Sequence, residues 1–368
     1  MTNLIVDTDI YSDVDDAAAL LLATTLPDAN LLAVNVNYTS SYSALAVSAI
    51  LGHYNKGHVP IGIRRPLTDD TFFDIKHFSL GEFASKVAFH FRDSGGSLPW
   101  GRAEEAWDPV QLYRKTLAEA EDGSVTVVSI GFLDNLSALL SSPPDTHSPL
   151  PGAALISLKV SHLVVMGGAY PTSTNPDTGT SHPSWNFSGP NGSHAPAAAH
   201  VVSHWPGRVT FLGREVGANV IVGGPLMGAA PGSGVPRRDP VRMAYLWYTY
   251  GGLFDEDGDR RKRGGPAWDP LAVLYAVREV GCGLFEDVAG EGRRGWCVVD
   301  EKDGGNRWVW EDEGGGGDDH EGEGRREHAF LSLKVSPEGA AEVVDELLLK
   351  GARSGGRGSF AGGGKGIS

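Results

Sequence analysis

The chain has 368 residues, of which 41% are hydrophobic, and this is enough for one large α/β domain or two smaller ones. Its formal net charge of -15 argues against nonspecific binding to nucleic acid, because the phosphates would be repelled. Two cysteines, Cys282 and Cys297, are too few for a disulfide framework or a zinc cluster, and we expect both to be free thiols.

The first elements along the chain are a strand, an acidic loop and a helix. Residues 4–6 are aliphatic and predict a buried strand, and a helix is expected from Val14 to about Leu26. Five carboxylates cluster around the loop: Asp7, Asp9, Asp13, Asp15 and Asp16. Ligands of open α/β sheets bind at the C-terminal ends of the strands. Clustered carboxylates need a neutralising partner, and a hard cation such as Ca²⁺ or Mg²⁺ is the simplest one.

Strand and helix signals alternate from there to residue 280. Further strands are predicted over 31–36, 59–63, 125–130, 162–166 and 209–212. Helices are predicted over 44–54, 111–120, from 136 onward, and over 196–203, 239–250 and 271–280. This order predicts one α/β domain with a mostly parallel, Rossmann-like open sheet. We expect helices on both faces and long active-site loops at the C-terminal ends of the strands.

Other stretches give weaker signals. Residues 64–108 predict a long loop or a loop with a helix, and the polar stretch 170–194 is a loop of the length that is often functional. Residues 293–310 predict two short strands, and 338–349 a terminal helix. The acidic, glycine-rich run 311–324 has the composition of a disordered loop. We therefore expect a domain over 1–350 and a disordered glycine-rich tail over 351–368.

The sequence carries no membrane or export signal that we recognise. No stretch approaches the roughly 18 apolar residues of a membrane span. The N-terminus has no basic segment followed by an apolar one, which a signal peptide would need. We therefore expect a cytoplasmic protein that binds neither membrane nor nucleic acid.

The aspartates predict hydrolysis assisted by a metal ion. Asp9, Asp15, Asp16 and the distant Asp269 could together hold Ca²⁺, supplemented by a backbone carbonyl and waters. A water on such an ion, beside a free carboxylate, is a hydrolytic nucleophile with its base. Asparagine and serine side chains in the long loop suit hydroxyl-rich substrates such as sugars, and tryptophan and tyrosine could stack on a ring.

Ordinary structural roles compete with these interpretations. Asp13 or Asp15 could cap the first helix, and Asp269, which precedes a proline, could cap another. Asn37 is of a residue type that is common in turns. The histidines of the region 64–108, His77 and His90, fit surface or packing positions better than catalytic ones.

Residues 7–17 resemble the N-terminal signature of the inosine-uridine preferring nucleoside hydrolase family. They match its longer variant, which has two extra residues before the final Asp-Asp pair. Further resemblances follow in the family's order at 129–136, 164–168, 185–187, 211–217 and 268–270. The resemblance covers about residues 4–280, and more weakly 328–349.

The resemblance implies Ca²⁺-dependent hydrolysis of the N-glycosidic bond of ribonucleosides to free base and ribose. It makes Asp15 the base that takes a proton from a water on the metal. The implied metal ligands are Asp9, Asp16, the backbone carbonyl of Ile130, and Asp269. The implied substrate contacts are Asn37, Met166, Asn175, Asn186 and Trp268. It leaves Asp7 and Asp13 as supporting or capping groups, and it implies a homodimer or a homotetramer.

Several residues depart from the family's pattern. Tyr11 replaces a glycine, and we expect it to distort the acidic loop or to narrow the pocket. Ser184 falls where the family has an acidic ribose contact. Trp268 stands where some members carry a histidine that protonates the leaving base, whereas other members have tryptophan there and favour purines by stacking. Asp134 replaces a threonine, at a position that we expect to lie away from the chemistry.

Two other functions remain open at this point. One is a family member that binds Ca²⁺ and ribosides with little or no turnover, which Tyr11 and Ser184 motivate. The other is a phosphatase like the haloacid dehalogenases, because Asp7-Thr8-Asp9 follows an apolar strand. That class wants threonine or valine two places after the second aspartate, where this chain has Tyr11.

Overall fold

A computed structural model describes the protein over residues 1–11, 13–69, 82–170, 183–250, 264–288, 294–311 and 327–355. The described residues contain twelve β-strands. They are β1 (Thr2–Thr8), β2 (Ala29–Val36), β3 (Ile61–Ile63), β4 (Val125–Ser129), β5 (Val160–Met166), β6 (Arg208–Leu212), β7 (Ile221–Gly223), β8 (Gly264–Pro266), β9 (Phe285–Asp287), β10 (Gly295–Val299), β11 (Asn306–Trp310) and β12 (Glu327–Leu333).

Eight of these strands form one sheet, in the order β3-β2-β1-β4-β5-β6-β12-β9. Neighbouring strands are parallel except at the β12–β9 edge, which is antiparallel. The first six follow the order 3-2-1-4-5-6 of doubly wound sheets that bind nucleotides. The predicted mostly parallel open sheet is therefore confirmed, and its topological switch point lies between β1 and β4.

Helices cover both faces of this sheet. They are α1 (Asp15–Thr25), α2 (Ser41–His53), α3 (Glu82–His90), α4 (Pro109–Glu119), α5 (Asp134–Leu140), α6 (Gly152–Lys159), α7 (Trp185–Ser188), α8 (Ala195–His204), α9 (Arg214–Gly217), α10 (Gly224–Met227), α11 (Pro240–Tyr250), α12 (Trp268–Arg278) and α13 (Pro337–Ser354). The side chains of β1 alternate between two apolar layers, so Leu4 and Val6 pack with α1 and α12, whereas Ile5 packs with α4 and α8. Alternation along a strand places successive residues on opposite faces, which is why one strand contributes to both layers.

The elements agree with the sequence predictions in position, with local differences. The predicted pair of short strands is the antiparallel hairpin β10–β11. Strand β12 and helix α6 were not predicted, because each is recognisable mainly by its partner: β12 pairs with β6, and α6 packs on α4 and α5. Helix α13 runs to Ser354, five residues past the predicted end. Most of the predicted disordered stretches, 312–324 and 356–368, lies outside the described residues.

Two further sequence predictions concern the chain as a whole. Cys282 and Cys297 are both free thiols, as expected, and Cys297 is buried. Within the described ranges, no helix is both long enough and apolar enough to cross a membrane.

Candidate active site

A cavity of about 400 Å³ opens at the C-terminal ends of the central strands. Its walls come from the loops after β1, β4, β5 and β6 and from the start of α12. The residues that line it are Asp9, Asp13, Asp15, Ile130, Met166, Pro183, Ser184, Trp185, Asn186, Arg214, Tyr248, Pro266, Trp268 and Asp269. This is the switch point of the sheet, where a doubly wound fold leaves a crevice for ligands.

Another cavity, of about 540 Å³, lies at the opposite end of the sheet, beside the start of β1 and α4. Its charged lining includes Lys115 and Glu119, which form an ion pair with each other on the protein surface. It lacks the clustered buried carboxylates of the switch-point cavity. The chemistry therefore points to the smaller cavity.

The acidic loop and the first turn of α1 bring the carboxylates together. Asp13, Asp15 and Asp16 each offer one oxygen, and these three oxygens lie within 4.8 Å of one another. Asp9 adjoins them from the end of β1 and is 7% exposed, and Asp269 enters from α12 at 4%. The sequence placed Asp13 among supporting or capping groups, whereas the structure makes it part of the cluster.

None of these acids is the N-cap residue of the helix that it begins. The residue that precedes α1 is Val14, which makes no side-chain capping bond, and Asp15 and Asp16 lie within the first turn. Helix α12 likewise begins at Trp268 with Asp269 inside its first turn. The capping interpretations are therefore wrong, because the side chains turn into the site. Their negative charges still face the positive ends of two helix dipoles, which favours the ionised form.

Hydrogen bonds orient the carboxylates but leave one oxygen without a partner. Thr8 Oγ1 donates to Asp16 Oδ1. The backbone N–H of Asp269 donates to Asp15 Oδ2 over 3.1 Å. Asp16 Oδ2 is buried and has no hydrogen-bond partner among the described residues. A buried carboxylate oxygen without a partner costs free energy unless a ligand or ion contacts it.

Burial raises the pKa of every carboxyl in the cluster. For Asp9 and Asp15 the next cause is the charge on Asp13. For Asp16 it is the charge on Asp9, and for Asp269 the charge on Asp15. So many carboxylates cannot all stay ionised in a buried site without a counter-charge. An all-oxygen donor set with an unpartnered oxygen fits a hard divalent cation.

Asp7 lies beneath the site and supports it. Its carboxylate accepts hydrogen bonds from Tyr113 Oη over 2.8 Å, from Asn37 Nδ2 over 2.6 Å and from Asn135 Nδ2 over 3.2 Å. Burial raises the pKa of Asp7 to about 7, against the opposing effect of these donors. Asp7 is fully buried and so is a structural anchor for the loop.

Asn37 lies behind the cavity wall. Its Nδ2 also donates to the Phe132 carbonyl over 2.9 Å, and its Oδ1 accepts from the Phe132 N–H over 3.3 Å. Its amide thus ties together the loops after β1, β2 and β4. Asn37 is 1% exposed and is not among the lining residues, so a contact from Asn37 to ribose stays a prediction.

The loop after β4 approaches the acidic loop very closely. A Cβ on Gly131 would lie 2.6 Å from the backbone nitrogen of Asp9, closer than real contacts allow. Glycine is therefore needed there, and its absence of a side chain lets Ile130 line the cavity beside the carboxylates.

The loop after β5 supplies a polar wall. Asn186 Nδ2 donates to the Met166 carbonyl over 2.9 Å, and both residues line the cavity. The hydroxyl of Ser184 accepts from the backbone N–H of Gly168 over 2.8 Å. Ser184 thus lies in the cavity wall, but its oxygen is already used to hold the end of β5.

Two tryptophans also line the cavity. Trp185 is 43% exposed, and its indole donates a hydrogen bond to the Asp9 carboxylate. The indole Nε1 of Trp268 donates to the Arg214 carbonyl over 2.7 Å. Two indole faces at one cavity suit a flat aromatic ligand.

Tyr11 does not narrow the cavity, contrary to the expectation from sequence. Its ring is 1% exposed and stacks on Tyr38, away from the lining residues. Its φ is not positive, so the backbone at this position does not require glycine.

Asp134 is closer to the site than the sequence suggested. Its carboxylate pairs with Arg64 at 2.9 Å and with His194 Nδ1 at 2.6 Å. The rings of His194 and Phe132 stack with their centroids 3.8 Å apart, and the ring centroids of Phe132 and Trp185 are 5.8 Å apart. Asp134 therefore connects to the cavity wall through a short series of contacts.

The structure thus gathers most of the predicted site residues at one place. Those that line the cavity are Asp9, Asp15, Ile130, Met166, Asn186, Trp268 and Asp269. Asp16 adjoins them in the carboxylate cluster, and Asn175 lies outside the described residues. The histidine His90 stacks on Trp247, in agreement with a packing role, whereas His77 lies outside the described residues.

Sequence reasoning missed Arg214 and Tyr248 as cavity residues. Arg214 follows β6 directly, so its place at the end of a parallel strand could have marked it. Tyr248 lies on α11, far along the chain from any strand end, and the sequence offered no signal for it.

A sequence model described as inosine-uridine preferring nucleoside hydrolase matches residues 4–331. Solved structures agree in fold. An inosine-uridine preferring nucleoside hydrolase from Bacillus anthracis gives a TM-score of 0.63 at 17% identity, covering 96% of this chain and 100% of that one. A purine-preferring ribonucleoside hydrolase from Gardnerella vaginalis gives 0.61 at 17% identity, covering 96% and 99%.

Curated relatives match part of the chain. The pyrimidine-specific ribonucleoside hydrolase RihA of Escherichia coli strain SMS-3-5 is 30% identical over 161 residues. That alignment spans 42% of this chain and 45% of the relative, so less than half of the relative's length is matched.

Proposed function

The chain belongs to the inosine-uridine preferring nucleoside hydrolase family, and from this we propose that it hydrolyses the N-glycosidic bond of ribonucleosides to free base and ribose. The observation that carries the proposal is the site itself. Buried carboxylates, one with an unpartnered oxygen, and two tryptophans line the same cavity at the switch point. The carboxylates suit the sugar and the attacking water, and the indoles suit the base.

The bound ion in this proposal is Ca²⁺, held by the carboxylates of Asp9, Asp16 and Asp269 and by the Ile130 carbonyl. The unpartnered Asp16 Oδ2 supports this assignment, because oxygen ligands are what hard cations require. When bound, the ion supplies positive charge that polarises the oxygens of water and of ribose hydroxyls. Asp13 lies within reach of the same ion and supplies further negative charge.

Asp15 is the general base in this proposal. Its Oδ2 is held by the Asp269 N–H, which fixes the direction of the carboxylate while its other oxygen can face the attacking water. Asp15 takes the proton of that water as the oxygen attacks the anomeric carbon. The neighbouring carboxylates favour the positive charge that develops on the ribosyl group.

The remaining lining residues orient the substrate. Asn186 and Met166 meet through a hydrogen bond and offer one wall for ribose. Trp268 would stack on the base, and Asn37 and Asn175 stay predicted contacts to sugar hydroxyls. A homodimer or homotetramer and a cytoplasmic location also remain part of the proposal.

The structure argues against the phosphatase. In that class the first aspartate of the Asp-Thr-Asp run attacks phosphate. Here that residue, Asp7, is fully buried, and its oxygens accept hydrogen bonds from Tyr113, Asn37 and Asn135. A carboxylate held in this way has no access to a substrate.

Ribose release tests the proposal. Purified protein would be given inosine, guanosine, adenosine, uridine and p-nitrophenyl riboside, with and without EGTA. We expect ribose release that EGTA suppresses and that Asp15→Asn lowers by at least about 100-fold. The matched control is Asp122→Asn, which changes an exposed aspartate paired with Lys159 far from the cavity. Tight Ca²⁺ binding without ribose release from any substrate would instead support a non-catalytic family member.

A further inference from the structure

Arg214 is the positively charged residue among the described residues that line the cavity. The other charged lining residues are all carboxylates: Asp9, Asp13, Asp15 and Asp269. Arg214 is exposed, so its guanidinium is accessible to a ligand. The cavity therefore has an acidic side for sugar and metal and a single cationic residue elsewhere in its wall.

The backbone of Arg214 is firmly held beside a tryptophan. Its N–H donates to the Gly168 carbonyl over 2.9 Å, and its carbonyl accepts from Trp268 Nε1 over 2.7 Å. A Cβ on Gly217 would lie 2.6 Å from Trp268 Cδ1, so α9 and the start of α12 are in close contact. Arg214 and Trp268 therefore form one unit in the cavity wall.

The guanidinium of Arg214 is available for a ligand. Other arginines of the described chain are engaged in ion pairs: Arg64 with Asp134, Arg114 with Asp145, Arg208 with Glu279 and Arg278 with Asp28. No described carboxylate lies within 4.0 Å of Arg214. Burial raises the pKa of the adjacent Glu215 to about 7, and the charge on Arg214 lowers it only as the smallest of the causes.

Hydrolysis of the glycosidic bond is favoured by a positively charged hydrogen-bond donor beside the leaving base. When the glycosidic bond breaks, its electron pair passes to the departing base, which becomes more negative. The Trp268 N–H cannot support the base, because it is already bonded to the Arg214 carbonyl. Arg214 and Tyr248 both line the cavity and carry side-chain donors, and Arg214 is the one that also carries a positive charge.

We propose that Arg214 binds the leaving base and selects 6-oxopurines, such as hypoxanthine and guanine. This inference rests on the proposed nucleoside hydrolysis and adds its substrate class. A guanidinium donates two parallel hydrogen bonds to adjacent acceptors, and O6 and N7 of a 6-oxopurine form such a pair. Adenine has an amino donor in place of O6, and this donor would meet a donor of the guanidinium. Pyrimidines lack the N7 acceptor.

The step balances without a further reactant. The C1′–N9 bond breaks and both electrons go to the base, where N7 and O6 share the charge beside Arg214. The water oxygen bonds to C1′, and its proton passes to Asp15. The base then takes up one proton from solvent and Asp15 releases the proton it accepted, so nucleoside and water become ribose and free base with Asp15 ionised again.

Specificity constants for matched leaving groups test this inference. Wild type, Arg214→Gln, Arg214→Lys and Tyr248→Phe, which removes the competing donor, would be assayed with inosine, guanosine, adenosine, uridine and p-nitrophenyl riboside. The nitrophenolate leaves as a stable anion and has no O6–N7 pair. We expect Arg214→Gln to lower kcat/KM for inosine about 10- to 100-fold more than for p-nitrophenyl riboside. Arg214→Lys should lose less of kcat/KM for inosine than Arg214→Gln, because lysine keeps the positive charge but lacks the two parallel N–H donors.

The possible results separate the two proposals. If Arg214→Gln lowers kcat/KM equally for inosine and p-nitrophenyl riboside, the proposed role of Arg214 is overturned, whereas the proposed nucleoside hydrolysis is not affected. The same holds if wild type prefers adenosine or uridine to inosine, or if Tyr248→Phe alone shows the selective loss. Absence of ribose release from every substrate in the wild type would overturn the proposed function and this inference with it.

Discussion

The rings of Tyr11 and Tyr38 stack with their centroids 4.2 Å apart and their planes 16° from parallel. Tyr11 belongs to the acidic loop after β1, and Tyr38 to the loop after β2. The stack therefore joins two neighbouring strand-end loops, and neither ring is among the described residues that line the cavity. A residue that stands where the family has glycine has become part of the support of the site.

Tyr11→Gly should destabilise the protein, because it removes a fully buried ring and the stacking contact of that ring with Tyr38. We expect the free energy of unfolding to fall by about 3–5 kcal/mol, the usual cost of deleting a buried aromatic. Tyr11→Phe keeps the ring and should cost about 1 kcal/mol. Urea unfolding with Ca²⁺ present measures both. Equal stability of Tyr11→Gly and wild type would show that the stack contributes nothing.

Gly131→Ala should weaken the site through a steric clash. The added Cβ would meet the Asp9 backbone nitrogen at 2.6 Å, so one of the two loops must move, at a cost of about 1–3 kcal/mol. We expect Ca²⁺ affinity, measured by calorimetry, to fall about tenfold or more. The control is Gly207→Ala, where nothing lies within 4 Å of the added Cβ. If both variants bind Ca²⁺ like wild type, the close approach has no role in the site.

Asp134→Thr should loosen the support of Trp185. It restores the residue type of the family but removes the carboxylate that pairs with Arg64 and His194. Since the Arg64 contact is charge-assisted and His194 loses its hydrogen-bond partner, we expect a loss of about 1.5–3 kcal/mol in stability and a higher KM for nucleosides with a smaller change in kcat. Asp122→Thr, which breaks only an exposed pair with Lys159, should cost about 1 kcal/mol or less. An unchanged KM in Asp134→Thr would argue against the connection to Trp185.

Removal of Ca²⁺ should lower the melting temperature, because the ion binds only the folded site. At a free concentration 100 times Kd, the ion would contribute about 2.7 kcal/mol. In EGTA, Asp16→Asn should melt at a higher temperature than wild type, because the substitution removes a repelling charge. In Ca²⁺, its melting temperature should rise much less than that of wild type. Calorimetric melting of both proteins in Ca²⁺ and in EGTA tests this. An identical Ca²⁺ response in wild type and Asp16→Asn would exclude Asp16 as a ligand.

His162 should make stability depend on pH in the acid range. Burial and then the charge on Arg208 lower its pKa from 6.5 to about 3, and Thr210 Oγ1 bonds its Nε2 over 2.8 Å. The nearby Glu279 carboxylate does not reverse this, because it is half exposed and pairs more closely with Arg208. The folded protein thus keeps the ring neutral while the unfolded chain takes up a proton below 6.5. Stability should be complete above that pH and should fall as the pH drops toward about 3.

The measurement is the urea midpoint at pH 7 and pH 5. His162→Gln should show a smaller decrease between these values than wild type, even if it is less stable at both. His204→Gln changes an exposed histidine and serves as the control. An equal pH dependence in wild type and His162→Gln would mean that other groups cause the acid sensitivity.

Local pattern alone was enough for the first six strands of the sheet and for most of the acids in the site. Asp9, Asp15 and Asp16 could be found because they follow a short apolar strand, and the ends of parallel strands meet at one edge of a sheet. The alternation of strands and helices likewise predicted the parallel architecture. These features depend on residues that are neighbours in sequence, and so they can be read from it.

The direction of each side chain depended on contacts between distant segments. Local pattern left helix capping open for Asp13 and Asp269, and the resemblance alone made Asp269 a predicted ligand. In the structure Asp13 belongs to the carboxylate cluster, and Asp269 lines the same cavity. Tyr11 stacks on Tyr38 of a neighbouring loop, and Asp134 connects to Trp185 through His194, which precedes α8, and Phe132. Arg214 became a cavity residue only because β6 lies beside β5 in the sheet. Such contacts arise when the sheet order brings remote loops together, and no local pattern encodes that order.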